Sequence, residues 1–91
     1  MKFETLSRII EISPSEVQSI RIVEKFDGEN VEYTASIETR RGIFSTTRPT
    51  FREADGTIEG FRSTGFTVEE VYLQDLTPDQ AMLISFDLDK E

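Results

Sequence analysis

From residue 18 to residue 39 the chain alternates apolar and polar positions with a period of two. Ile20, Ile22 and Phe26 form one apolar row, and Val31, Tyr33, Ala35 and Ile37 form the next. Such alternation predicts two half-buried strands. Asp27, Gly28, Glu29 and Asn30 interrupt it with turn chemistry, Gly28 being able to take positive φ. A four-residue loop sets Phe26 opposite Val31, Ile22 opposite Ala35 and Ile20 opposite Ile37. The same register sets Lys25 opposite Glu32, an attractive cross-strand pair. Pattern and charge therefore ask for one hairpin register.

The flanks are read in the same way. Residues 3–12 fit a strand, favoured by the Ile9, Ile10, Glu11, Ile12 ending. Phe3, Leu6 and Ile10 also suit a short helix. Ser13, Pro14, Ser15 and Glu16 have the form of a capping box and predict a single helical turn. Beyond the turn at Arg40, Arg41 and Gly42, residues 43–52 read as a strand. Its centre lacks large apolar residues and contains Pro49, which donates no ladder hydrogen bond, so an edge position is expected. Residues 54–57 predict a turn, and residues 58–62 a short strand with Gly60 at a bulge. Residues 67–76 stay open between two readings. Thr67 and Glu70 suit a helix start, with Phe66 and Val71 as its staple, yet the same residues suit a strand. Met82, Ile84, Phe86 and Leu88 alternate as a last strand. The fold expected is mainly β: one domain over residues 1–91, an antiparallel meander of six or seven short strands. It would curl into a small barrel or sandwich with one or two helical turns.

Composition narrows the chemistry. The 91 residues include no cysteine and no histidine. Disulfides, thiolate metal sites and cysteine nucleophiles are thereby excluded, as is the commonest general base. No base–nucleophile pair follows from the remaining spacing, so no enzyme activity, cofactor or metal is expected. Asp87, Asp89 and Glu91 would share one face of the last strand, but calcium needs six or more oxygens from an organised loop. No apolar run reaches the length of a signal peptide or a membrane span, and a cytoplasmic location is expected.

The net charge is −8, unevenly spread. Residues 1–39 carry net −4 and residues 63–91 net −6, whereas residues 40–62 carry net +2. Arg40, Arg41, Arg48 and Arg52 account for that positive waist. Charged side chains and proline commonly protect edge strands from aggregation. Arg40, Arg48 and Arg52 are expected to pair with Glu32, Glu38, Glu53 or Glu59. Arginine and exposed aromatics are also the residue types that anchor interfaces. Arg40, Arg41, Phe44, Arg48, Phe51 and Arg52 are therefore the candidate partner-binding residues. The reading is a non-catalytic binding module whose edge strand, about residues 43–52, takes another protein or a second copy of itself, with no direct nucleic-acid or membrane binding.

Two other readings follow from the same residues. An acidic chain of this size suits an inhibitor that mimics nucleic acid, although interleaved arginines oppose that. Arg48 and Arg52 also form R-x-x-x-R, followed later by Asp75, Leu76, Thr77, Pro78, Asp79, Gln80 and Ala81. These two segments resemble the PilZ domains, in which such arginines grip the phosphates of a cyclic dinucleotide. Gln80 stands where that motif has glycine. A cyclic-dinucleotide binder ranks third.

Overall fold

The structure, a computed structural model, describes residues 1–73. A short hairpin joins β1 (Lys2–Glu4) to β2 (Ile9–Glu11), with Phe3 opposite Ile10. A 3-10 turn at Pro14–Glu16 leads into β3 (Val17–Asp27), β4 (Asn30–Thr39) and β5 (Gly42–Arg48). Helix α1 (Phe51–Ser63) follows, and then β6 (Glu69–Val71). The second sheet has the strand order β5-β4-β3-β6, antiparallel except for the β3–β6 pair.

The central hairpin has the register required by its sequence. Phe26 faces Val31, Lys25 faces Glu32, Ile22 faces Ala35 and Ile20 faces Ile37. Gly28 adopts φ 62° in the turn, a conformation that costs glycine little. Burial divides this apolar row. Ile20, Ile22, Ala35 and Ile37 are buried, whereas Phe26 and Val31 at the turn end are exposed. The opposite face is buried too at Val23, Thr34 and Ser36, and the Thr34 hydroxyl bonds that of Thr47 at 2.9 Å.

Residues 51–63 depart most from expectation. The turn expected at residues 54–57 and the strand at 58–62 are both parts of α1. Thr50 caps the helix, its Oγ1 accepting from the Glu53 backbone N–H at 3.2 Å. Phe51, Ala54, Ile58 and Phe61 recur at helical spacing, and the last three are fully buried. That stripe outweighs Gly56 and Gly60, each costing about 1 kcal/mol in a helix. Gly60 also receives the N-terminal segment: a Cβ there would lie 3.7 Å from the Met1 side chain. The edge strand accordingly ends at Arg48, and Phe51 and Arg52 open the helix instead.

Other expectations fare unevenly. The turn at Pro14–Glu16 forms, but the Ser13 side chain makes no capping bond. Residues 3–12 form no helix, but in place of the single strand favoured they hold two short strands joined by a turn at residues 5–8. Within the open segment, Glu69–Val71 is a strand, parallel to β3. The chain is thus no simple meander, because α1 carries it across the sheet from β5 to the far side of β3. Among the described residues the sheets are not closed into a barrel. The strand expected around residues 82–88, and Asp87, Asp89 and Glu91, lie outside the described residues.

The core forms between α1 and one sheet face. Ile58 and Phe61 join Ile20, Ile22, Ala35 and Ile37, and Phe3, Ile10 and Ile12 close one side. Truncating Ile58 to alanine is expected to cost about 2–5 kcal/mol, much of the stability of so small a domain. Thr50→Ala should cost about 1 kcal/mol through the lost cap. Urea unfolding of both variants measures the two losses. A Thr50→Ala effect equal to that of Ile58→Ala would contradict a capping role.

Candidate functional site

Strand β5 has β4 as its only partner among the described residues, so it lies at a sheet edge. A groove of about 530 Å³ is lined by residues 43–47 of this strand and by residues 5–8, which connect β1 to β2, with Ile10 completing the lining. The connecting turn is built by Thr5. Its N–H donates to the Arg8 carbonyl at 2.8 Å, and its Oγ1 accepts from the Arg8 N–H at 3.1 Å. The turn leaves Leu6 78% exposed and Ile9 62% exposed, and Ile43 across the groove is 39% exposed.

The six candidate residues divide into two kinds. Arg40 and Arg52 are exposed and hold no ion pair among the described residues. The other four are engaged within the fold. Arg41 donates from Nη2 and Nε to Glu16 Oε1 at 2.6 and 2.8 Å, and from Nη2 to the Glu11 carbonyl at 2.7 Å. Its guanidinium carbon also lies 5.2 Å from the centre of the Phe44 ring. Phe44 is half-buried against the core. Arg48 donates to the Glu4 carbonyl at 3.3 Å, and its Nε is buried without a partner. None of the arginine pairings expected with Glu32, Glu38, Glu53 or Glu59 forms among the described residues. Arg48 points into the fold while Arg52 is exposed, and the later Asp75 to Ala81 segment lies outside the described residues.

Phe51 leads to a second cluster. Its ring meets Tyr33 edge-on at 5.9 Å and stacks on Tyr72 at 6.4 Å. Tyr33 donates its hydroxyl to Glu24 Oε2 at 2.8 Å, and the other oxygen of Glu24 accepts from the Leu73 N–H at 3.2 Å. Tyr72 donates to Glu70 Oε2 at 3.2 Å. Arg62 holds Glu70 Oε1 at 3.3 Å and Asp55 at 2.8 Å. These contacts fasten the three-residue strand β6 to its neighbours. The hydrogen bond to Glu24, then burial, raises the Tyr33 pKa above its ordinary 10.0. Burial, then the bond to Glu70, raises that of Tyr72. Both phenols are engaged in hydrogen bonds that help to hold β6 in place.

Sequence reasoning missed the groove wall at residues 5–8 and this Glu24 cluster. The wall at residues 5–8 gave little signal, because a single strand or helix over residues 3–12 left no turn there. Glu24 gave none, since its partners lie 9 and 49 residues away. Among the described residues no three metal-ligating side chains converge, and no helix is long and apolar enough to cross a membrane. No protein-family model, curated protein or solved structure matches the chain.

The tyrosine shifts imply a dependence on alkaline pH. A phenol whose folded pKa is raised contributes its full stability below its unfolded pKa and loses it as pH climbs toward the folded value. Melting temperature should therefore fall above about pH 10. Replacing Tyr33 and Tyr72 by phenylalanine should flatten that fall. Thermal melts of the two proteins across this range measure it, and parallel curves would refute the coupling.

Proposed function

We propose that the protein is a non-catalytic binding module that takes an extended segment of a partner protein as an added strand along β5. The observation that carries this reading is the groove beside a strand whose one strand partner among the described residues is β4. Main-chain hydrogen bonds supply affinity in strand addition, and pockets for alternate side chains supply selectivity. Leu6 and Ile43 offer exposed apolar surface in this groove, of the kind that singles out such a segment. The lack of cysteine and histidine, which removes cysteine nucleophiles and the commonest general base, supports a role in binding rather than catalysis.

Arg41 ties the start of β5 to Glu16 of the Pro14–Glu16 turn and lies over the Phe44 ring, which packs on the core. Arg40 stands exposed in the turn before β5, and Arg52 is exposed in the first turn of α1.

A displayed library of random extended peptides tests the proposal. Selected peptides should slow amide exchange at residues 43–47, and Ile43→Arg should weaken their binding about tenfold or more. Protection confined to another surface, or unchanged binding by Ile43→Arg, would overturn strand addition at β5.

A further inference from the structure

We propose that the tip of the β3–β4 hairpin of one molecule docks into the groove beside residues 5–8 of a second copy of this chain. The proposal needs the groove but not strand addition along β5, and a tip seated there would compete with a partner strand. The hairpin outruns its neighbours. Strand β5 ends with Arg48 opposite Tyr33, and β6 ends with Val71 opposite Val23. Among the described residues, residues 25–27 and 30–32 therefore have only each other as strand partners. Phe26 and Val31 face each other on this overhang and are 62% and 41% exposed. Phenylalanine is among the residue types enriched at interfaces.

Charge points to the matching surface. From position 26 to position 32 the chain has three carboxylates, Asp27, Glu29 and Glu32, and no basic residue. The groove has the opposite character. The chain carries 18 aspartates and glutamates against 10 basic residues, yet no carboxylate occurs among the described residues that line the groove. Arg8 is the charged side chain of that lining, exposed and without an ion pair among the described residues. Leu6 and Ile43 expose apolar surface on the two walls. An acidic tip carrying Phe26 thus meets both an apolar seat and a cation beside it, the complementarity that orients a docking partner.

Other pairings of the same surfaces are disfavoured. Tip against tip would bring the acids of both molecules together, and like charges in direct opposition are destabilising. Nor can a molecule fill its own groove, because β3 and β4 hold the tip past the Arg48 end of β5. Each molecule offers one tip and one groove, so the contact is heterologous and propagates as an open chain unless its rotation closes a ring. So small a tip buries less than the roughly 1,600 Å² of a standard interface, which makes the association weak and concentration-dependent.

Sedimentation equilibrium of the full chain at rising concentration tests the proposal. The average mass should climb above that of one chain, and high salt should reduce the climb. Phe26→Ser and Arg8→Glu, both at exposed positions, should each lower the association constant about tenfold or more while melting like the unaltered chain. Arg8→Glu keeps its tip and Phe26→Ser keeps its groove. A mixture of the two should therefore form one-to-one pairs and nothing larger, although neither associates alone. A chain that stays monomeric, a Phe26→Ser variant that associates as before, or a mixture without pairs would overturn the proposal. Association lost with Phe26→Ser but kept with Arg8→Glu would overturn the groove as the seat of the tip. Peptide binding along β5 is read separately, so each of these failures leaves strand addition standing.

Discussion

Ile58 and Phe61 of α1 lie against the face formed by Ile20, Ile22, Ala35 and Ile37, and the arrangement of the rest follows from that contact. A four-stranded sheet cannot leave such a row of isoleucines in water, since burying each one stabilises the fold by roughly 1.5–3 kcal/mol. The helix reaches the row only by leaving β5 at Arg48 and crossing the sheet. That crossing carries the chain to the far side of β3, where β6 lies parallel. It also leaves the outer side of β5 without a strand neighbour among the described residues. The binding edge proposed above is thus a consequence of how the core is covered.

Two groups of polar contacts hold the ends of this arrangement. Arg41 ties the β4–β5 turn to Glu16 and to the carbonyl of Glu11, so the start of the edge strand is fixed to the segment between the two sheets. Glu24 and Glu70 bind the other end through Tyr33, Tyr72 and Arg62. The exposed parts of these ion pairs add little stability individually, typically under about 1 kcal/mol. Their contribution is to position. They set which edge is closed by β6 and which faces the groove.

The arginines of residues 40–52 illustrate how one compositional signal separates into different physical roles. All four look alike in sequence. In the structure Arg41 braces a turn, Arg48 is turned inward to the Glu4 carbonyl, and Arg40 and Arg52 remain exposed. A further basic residue, Arg8, joins the edge from a distant part of the chain. Local charge counting recognised a positive segment, but only the packing of the β1–β2 hairpin beside β5 brings Arg8 to the groove.

Local pattern alone determined the central hairpin, because alternation, turn residues and the Lys25–Glu32 pair all depend on neighbours within a few positions of the turn. It also suggested an edge position for β5 from its polar centre and the Pro49 that follows it, and among the described residues β4 is its one strand partner. The helix was legible as well, in Thr50, Glu53 and the spacing of Phe51, Ala54, Ile58 and Phe61, but two glycines concealed it. Those glycines weaken a helix without forbidding one, and burial against the sheet decided the matter. Tertiary structure alone decided that Phe26 and Val31 stay exposed, that β6 runs parallel to β3, and that residues 5–8 wall the groove. Each of these depends on which distant surface arrives to cover an element, and the free energy of that contact is written in no single stretch of sequence.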